Sequence, residues 1–206
     1  MVTQSFRRAR RGPRAALFAV VAALGALAVA PSAEAACTAT LTQPFTRWSD
    51  SGYYTLAPGG SFESSTGLTL SGGASIVSGN ETYYAHSTKD THSLKLPSGS
   101  KATTSYMCVD TSYPYFRLFA RNTGSSSSRL KVEVLYLDSA GAVKALSSGN
   151  LSTSTTSWQL SAKLGIAIGQ VQLGADGTGK VAFRLTPRDT VGNWQVDDLY
   201  VDPHRR

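Results

Sequence analysis

The sequence is poor in the residues from which most catalytic and metal centres are built. It contains only 3 His and 2 Cys among 206 residues, and charged residues make up 16% of the chain. It has no His-Glu-x-x-His pattern for zinc, no Gly-x-Ser-x-Gly turn for a nucleophilic serine and no contiguous EF-hand loop. His86 and His92 lack a third spaced ligand for a transition metal. An enzyme is therefore not predicted, since carboxylate pairs from Glu81, Glu133 and Asp110 could be assembled in almost any arrangement of strands.

A hydrophobic run long enough to cross a bilayer is also missing from the leader. The apolar segment 17–30 has 14 residues, fewer than the roughly 20 of a spanning helix. Ala33 and Ala35 follow it, which is the pattern of an export signal cleaved after Ala35. The basic residues before it are Arg7, Arg8, Arg10, Arg11 and Arg14. We therefore predict a signal peptide of bacterial type over residues 1–35, for either the general or the twin-arginine route. Residues 36–206 are then one exported domain with a short mobile tail that contains His204.

Strong positive charge is absent from the exported part. The whole chain has 20 Lys and Arg against 13 Asp and Glu, but five of the basic residues and one acidic residue lie in the leader. Residues 36–206 thus carry a net charge of only +3. No run of Lys and Arg remains there, so a nucleic-acid partner is not predicted.

Cysteine is scarce, and the number of cysteines is even. Cys37 and Cys108 both fall in the exported part, where the environment is oxidising and no odd thiol is left over. We predict a disulfide between them, with two buried thiols as the alternative. Neither cysteine has the neighbouring His or basic cluster that would make it reactive.

Helix signals are nearly absent after residue 36, because Gly, Ser, Thr or Pro interrupts most stretches. Alternation of apolar and polar residues, which is typical of half-buried strands, takes their place. The alternation is clearest at 115–121, 130–136 and 180–186, and weaker strands are predicted at 53–56, 68–70, 75–77, 93–96, 103–108, 142–146 and 158–160. The serine-rich loop after Arg121 predicts a hairpin between the first two strands. Residues 161–173 fit a short helix or a twisted strand, and we prefer the strand.

Short strands separated by turn residues predict an all-β fold, an antiparallel β-sandwich of the jelly-roll type. Trp48, Trp158 and Trp194 are assigned chiefly to the core. In the last strand, 194–201, the apolar residues change parity after Val196, which predicts a bulge at Asp197-Asp198. Two adjacent carboxylates in a strand are unfavourable unless at least one is paired, solvated or bound to a cation.

That strand has the form aromatic-x-aliphatic-Asp-Asp-aliphatic-x-aliphatic and resembles the final strand of galactose-binding-like jelly rolls, which include many carbohydrate-binding modules. Gly60-Ser61-Phe62-Glu63 resembles their opening strand. Residues 90–96 resemble the segment leading into a Ser-Leu-x-Leu strand, and 115–121 a central Tyr-x-Phe-x-x-x-Arg strand. The likeness covers most of residues 60–202, and nothing in this sequence resembles an accompanying catalytic domain. The chain also resembles small secreted bacterial proteins of unassigned role.

The resemblance implies a structural calcium ion between the opening Glu and the last strand. Glu63 and Asp197 or Asp198 would supply carboxylate oxygens, and a loop near Asp90 would add backbone carbonyls, because Ca²⁺ prefers many oxygen ligands. The alternative is that these carboxylates are solvated and paired with nearby Lys or Arg.

Polar strand faces are the main candidate for ligand binding. The face consists of Tyr115, Arg117, Phe119 and Arg121, joined by Lys131, Glu133 and Arg184 if their strands are neighbours. Sugars suit such a face, because their C–H faces lie against rings while their hydroxyls bond to Arg and carboxylates. The alternative is a solvated face of salt-bridged pairs. In the loop 79–86, Tyr83 and Tyr84, with Tyr113 near them, either bind a ligand or fold back over the core.

These observations predict a secreted, non-catalytic module that recognises carbohydrate or another extracellular surface, without stable insertion into a membrane. The second hypothesis is a structural or protein-interaction protein whose sheet edge or face meets a protein partner. The third is an extracellular hydrolase. The sequence does not specify the ligand or the oligomeric state.

Overall fold

Strands predominate in the computed structural model, which describes residues 37, 39–110, 115–153 and 155–202. The strands of the described residues are β1 (Thr55–Leu56), β2 (Leu68–Ser71), β3 (Ser75–Ser78), β4 (His92–Pro97), β5 (Lys101–Thr104), β6 (Met107–Val109), β7 (Tyr115–Asn122), β8 (Leu130–Leu137), β9 (Val143–Leu151), β10 (Gln159–Leu160), β11 (Leu164–Gly165), β12 (Gly179–Pro187) and β13 (Asn193–Asp202). Two 3₁₀ turns lie at Thr46–Trp48 and Ile168–Gln170. The predicted leader 1–35, Tyr113 and the tail from residue 203 lie outside the described residues.

Two antiparallel sheets pack face to face. Sheet I has the order β10-β7-β13-β4-β3, with β1 paired to β13 and β11 to β7. Sheet II has the order β2-β5-β12-β8-β9, with β6 beside β12. The main core between them holds fully buried side chains from both sheets, among them Phe116, Phe183 and Trp194. This arrangement confirms the predicted all-β antiparallel sandwich of the jelly-roll type.

β7 and β8 do not form a hairpin, which corrects the prediction. β7 pairs with β13 in sheet I, whereas β8 pairs with β9 and β12 in sheet II. The serine-rich connection between them crosses from one layer to the other, and its Ser128 Oγ accepts a hydrogen bond of 2.9 Å from Trp194 Nε1. An amphipathic strand shows the same alternation whether the next strand lies beside it or across the core. The sequence pattern therefore could not distinguish the two connections.

Two further segments depart from the predicted strands. Residues 161–173 contain only the two-residue β11 and the turn Ile168–Gln170. Residues 60–63 form no strand, because the Gly60 and Phe62 N–H groups close turns on the Ala57 and Gly59 carbonyls. Leu199 donates its N–H to the Gly60 carbonyl at 2.8 Å and attaches the segment to β13. Phe62 is fully buried with a positive φ of 51°. The opening segment therefore contributes a core side chain but no strand.

The predicted bulge in β13 is confirmed. The pairing of β13 with β7 shifts register between Asp197 and Tyr200. Asp198 has a φ of 47°, in the left-handed region that Asp tolerates better than most residues. The bulge lets Val196 and Leu199 both face the main core although they are an odd number of positions, three, apart. It also places Asp197 and Asp198 where both are fully buried.

A second apolar group, here called the outer cluster, covers part of the outer face of sheet I. Its buried members are Phe45, Tyr54, Phe119, Trp158 and Tyr200. The segment 39–56 brings the Phe45 ring to the Tyr54 ring, with 4.8 Å between centroids and 82° between planes, an edge-to-face arrangement that favours aromatic pairs. Trp158 thus belongs to the outer cluster and Trp194 to the main core, as the core assignment predicted.

Cys37 and Cys108 form the predicted disulfide, with 5.4 Å between their Cα atoms. The bond attaches the chain just before the segment 39–56 to β6 of sheet II. No helix of the described residues is long and apolar enough to span a membrane.

Candidate functional site

The seven residues of the predicted binding face are divided between the two outer faces of the sandwich. Those on β7 in sheet I are Tyr115, Arg117, Phe119 and Arg121, whereas Lys131, Glu133 and Arg184 lie on β8 and β12 in sheet II. The condition that their strands be neighbours is not met. The prediction of one continuous surface is therefore wrong.

Phe119 and Arg117 are occupied by contacts within the protein. Phe119 is fully buried in the outer cluster, which corrects its placement on an exposed face. The Arg117 side chain is 13% exposed. Its guanidinium donates to the Ser161 carbonyl at 3.0 and 2.8 Å and to the Asp50 carboxylate at 3.0 Å. Burial opposes ionisation of Asp50, but hydrogen bonds from Tyr54 and Gly52 and the charges of Lys163 and Arg117 lower its pKa. Arg117 is thus a structural residue.

Tyr115 and Arg121 are half-buried at the two ends of β7. The Lys163 ammonium lies 5.3 Å from the centroid of the Tyr115 ring. The Arg121 guanidinium lies 4.9 Å from the Trp158 ring, and its Nε donates to Gln195 Oε1. These cation–π contacts fix the direction of the charged groups and leave part of each side chain in solvent.

On sheet II, Glu133 lies between two cations in an arrangement here called the Glu133 triad. Its carboxylate accepts hydrogen bonds from Lys131 Nζ at 2.6 Å and Arg184 Nε at 2.8 Å. The Glu133 side chain is 10% exposed and that of Arg184 is 26% exposed. Burial acts against the Glu133 carboxylate, but the contacts with Arg184 and Lys131 outweigh it and lower its pKa. Glu133 therefore stays ionised at neutral pH.

The sequence reasoning missed Tyr106, which is 37% exposed. The next residue, Met107, begins β6, packs against the main core and pairs with Val181. Because side chains alternate along a strand, we infer that Tyr106, directly before β6, takes the outer side of sheet II. The sequence did offer a signal for Tyr106. It lies in the predicted strand 103–108 next to the apolar Met107, and alternation along a strand places neighbouring side chains on opposite faces.

The loop 79–86 wraps around the Glu81 carboxylate, which accepts the backbone N–H groups of Tyr83 and Ala85. Tyr83 folds back over the outer cluster, with its ring centroid 4.9 Å from Trp48 and 5.6 Å from Phe119. Tyr84 projects outward, 49% exposed, with a positive φ of 54°. Tyr83 is therefore a lid over the outer cluster, and Tyr84 alone is presented to solvent.

Acidic residues converge where this loop meets the bulge of β13. The members of this carboxylate cluster are Glu63, Glu81, Asp90, Asp197 and Asp198. Asp197 Oδ2 accepts the Glu81 N–H and Asp198 Oδ2 accepts the His86 N–H, each at 2.9 Å. Two hydrogen bonds thus attach the loop to β13.

Asp198 retains an oxygen without a partner. Its Oδ1 is buried and bonds to no group among the described residues. Ligand atoms of His86, Asp90 and Asp198 all lie within 4.8 Å of one another, and His86 Nδ1 is 2.6 Å from Asp90 Oδ2. A cavity of about 370 Å³, lined in part by His86 and Tyr200, opens beside them. Glu63 Oε1 accepts the N–H groups of Thr91 at 3.0 Å and His92 at 2.8 Å.

Three members of the carboxylate cluster, Glu81, Asp197 and Asp198, are deeply buried. Burial, with the charge of Asp198, raises the pKa of Asp197 to about 9, and burial, with the charge of Glu81, raises that of Asp198 to about 8. Burial also raises the pKa of Glu81. In the described part of the chain no Lys or Arg forms an ion pair with these three residues. The expected alternative of carboxylates paired with Lys or Arg is therefore not what the structure shows there.

No protein-family model and no curated protein matches the chain. Among solved structures, it is similar to the N-terminal tandem of two family 22 carbohydrate-binding modules from Paenibacillus barcinonensis, with a TM-score of 0.50 and 11% identity over 84% of this chain and 48% of that one. The chain therefore spans about half the length of the tandem. A single xylan-binding family 22 domain from the same bacterium gives a TM-score of 0.46 and 13% identity over 71% and 92% of the two chains.

A family 61 module, solved with β-1,4-galactotriose, gives a TM-score of 0.39 and 14% identity over 69% of this chain and 94% of that one. The TM-score of 0.50 with the family 22 tandem shows that the chain has a β-sandwich fold shared with carbohydrate-binding modules. The predicted resemblance to galactose-binding-like jelly rolls is confirmed for the fold.

Proposed function

We propose that this protein is a secreted carbohydrate-binding module, without catalytic turnover, whose ligand lies on the outer face of sheet II. The observation that carries the proposal is the Glu133 triad, a buried carboxylate that holds two partly exposed cations on the outer side of a sheet. Arg184 bonds to Glu133 through Nε. The terminal amino groups of its guanidinium bond to no group among the described residues, so they can donate to sugar hydroxyls. Tyr106 supplies an exposed ring on the same face for a sugar C–H face.

Preorganisation favours binding by this face. The ion pairs already restrict Arg184 and Lys131, so a ligand would lose less side-chain entropy on binding them than on binding free arginine or lysine. A hydrolytic role is less well supported, because Glu133 and Glu81 lie on opposite sides of the sandwich and would not meet at one glycosidic bond.

Affinity electrophoresis through neutral polysaccharides, including xylan and β-1,4-galactan, followed by calorimetry on any retained polymer, tests the proposal. We expect Arg184→Met to weaken binding at least about tenfold, because a charge-assisted hydrogen bond is lost. Arg188→Met is the matched control, since Arg188 is exposed just beyond the end of β12. Equal binding by wild type and Arg184→Met, or no retention by any neutral polymer, would contradict the proposal.

We also propose that the carboxylate cluster holds a structural Ca²⁺ ion. The residues fit a hard cation, because Asp198 Oδ1 is buried without a partner and Asp90 and Glu81 lie around it. Asp198 and Asp90 would be direct ligands, Glu63 would complete the set, and Asp197 would hold the loop through the Glu81 N–H. The ion would supply the missing positive charge and strengthen the attachment of the loop 79–86 to β13.

Thermal unfolding with added Ca²⁺ and with chelator tests the ion. We expect saturating Ca²⁺ to raise the melting temperature by about 5 °C, because an ion that binds only the folded state stabilises it by mass action. Asp198→Asn should abolish the rise, whereas Asp176→Asn, in an exposed loop, should retain it. An unchanged melting temperature in wild type would remove Glu63, Asp90, Asp197 and Asp198 as a calcium site.

A further inference from the structure

A row of polar side chains crosses the outer face of sheet I, on the opposite side of the molecule from the Glu133 triad. The register pairs Gln195 of β13 with Lys95 of β4 on one side and with Arg121 of β7 on the other. The next position across is Trp158, since Gln159 of β10 pairs with the residue before Arg121. These four residues are called the cation row.

The cation row faces outward. On either side of Gln195, Trp194 and Val196 point into the main core, and the same holds for the residues on either side of Lys95. Because side chains alternate across a strand, Lys95, Gln195 and Arg121 point away from the core. All three are partly exposed, and Trp158 is buried in the outer cluster beneath Arg121.

Lys95 and Arg121 are the two cations of the row. No Asp or Glu among the described residues forms an ion pair with Lys95 or Arg121, whereas Lys163, elsewhere on this face, pairs with Asp50. Arg47 is likewise without an ion pair in the described part of the chain, and its guanidinium lies over the Tyr83 ring at 5.0 Å. Within the described residues, Lys95, Arg121 and Arg47 are thus cations of this face that no ion pair occupies.

The guanidinium of Arg121 is held ready for a ligand. It lies over Trp158 at 4.9 Å from the ring centroid, and its Nε bonds to Gln195. Its terminal amino groups bond to no other described residue and can therefore bind an anion. On the next row along the strands, Phe119 is covered by the outer cluster and Asp197 by the loop 79–86. The cation row thus follows the edge of this covered region and offers an elongated rather than a round site.

We propose that the cation row binds an acidic polysaccharide that carries carboxylates, such as a polyuronate. Lys95 and Arg121 are two strands apart, about 10 Å at Cα, and the Gln195 amide between them suits hydroxyl groups. Two cations separated by an amide match a chain that alternates hydroxyls with spaced carboxylates. They match a nucleic acid less well, because its phosphates are far denser. This site uses a different face and a different ligand class from the neutral-sugar site proposed on sheet II.

Affinity electrophoresis of the full chain through polygalacturonate, and through the same polymer fully methyl-esterified, tests the proposal. The ester keeps the hydroxyls and removes the charge. We expect the free acid to bind at least about tenfold more tightly than the ester. Lys95→Gln/Arg121→Gln should lose at least about tenfold of that affinity. Lys101→Gln/Lys180→Gln, with the same change in charge on exposed residues of sheet II, should lose less than about twofold.

Arg184→Met separates this proposal from the first, because it should weaken neutral-sugar binding and leave polygalacturonate binding unchanged. If the double variant at Lys95 and Arg121 melts well below wild type, Lys95→Gln alone decides, with an expected loss of about threefold. Equal affinity for the acid and the ester, or equal losses in the two double variants, would overturn the proposal, since attraction would then come from net charge alone.

Discussion

Arg117 connects three parts of the chain that are distant in sequence. From β7 it reaches the Ser161 carbonyl, in the connection between β10 and β11, and the Asp50 carboxylate, in the segment that covers sheet I. It also lies 5.1 Å from the centroid of the Phe45 ring. Since Asp50 is 6% exposed, removal of one partner would leave the other charge buried.

We therefore expect Arg117→Met to lower the free energy of unfolding by about 3 kcal/mol, the usual cost of breaking a buried ion pair. Urea denaturation followed by tryptophan fluorescence measures this change. The exposed Arg188→Met should stay within about 0.5 kcal/mol of wild type. A comparably small effect in Arg117→Met would show that Arg117 is not a structural link.

The fate of Phe119 shows where residue-level prediction stopped. Alternation along β7 correctly placed Phe119 on the side away from the main core. It could not show that Phe45 and Tyr54, more than sixty residues earlier in the chain, return to cover that side. A side chain that points away from the main core is still buried if a distant part of the chain packs over it. Local periodicity carries no information about such long-range contacts.

The bulge of β13 is the element that organises the carboxylate cluster. A change in apolar parity predicted it, because the core forces Val196 and Leu199 inward on both sides of Asp197-Asp198. The same change of phase buries both carboxylates. For β13, the sequence alone predicted both the bulge and the unfavourable placement of two adjacent carboxylates in a strand. It did not indicate Glu81 or His86, which reach the cluster from a loop.

Stability without calcium should fall as pH rises through the neutral range. Asp197 and Asp198 have folded-state pKa values of about 9 and 8 against an ordinary value of 3.8. Between these limits the folded state holds more protons than the unfolded state, so the free energy of unfolding decreases with pH. Each such group contributes about 1.4 kcal/mol per pH unit, so we expect a decrease of up to about 2.7 kcal/mol per pH unit between about pH 5 and pH 8, measured by urea denaturation in chelator.

Asp198→Asn is the control for this pH dependence. Asn tolerates the left-handed backbone at this position and carries no charge. We expect the variant to have a shallower pH dependence than wild type and to be more stable than wild type at pH 8 in chelator. Asp50 and Glu63 have lowered pKa values and titrate below this window, so they do not contribute to the slope. A stability that rises from pH 5 to pH 8 would contradict the assignment.

For the whole molecule, the layer architecture was predictable and the connections were not. Short amphipathic strands with turn residues between them have few solutions other than two packed sheets. Pairing depends on long-range register, as the assignment of β7 and β8 to different sheets shows. Consequently the prediction that the seven binding residues point away from the main core was correct. The prediction that they share one face was wrong, because they lie on the outer faces of two different sheets.

The disulfide closes a large part of the chain. Its cysteines are 71 residues apart, and a loop of this size restricts the unfolded state enough to stabilise the fold by about 4 kcal/mol in the chain-entropy account. The double variant Cys37→Ser/Cys108→Ser should lose about that amount in urea denaturation. Wild type treated with reductant should unfold at the same urea concentration as the variant. A loss below about 1 kcal/mol would mean that the bond contributes little to stability.

The two outer faces of the sandwich point in opposite directions and carry different chemical groups. A molecule held flat against one fibre through Arg184 therefore presents Lys95 and Arg121 to whatever lies above it. With both faces occupied, each copy would cross-link a neutral polymer to an acidic polymer. Mixed solutions of the two polymers should then thicken when the protein is added, an effect that rheometry would detect and that a variant defective on either face would not produce.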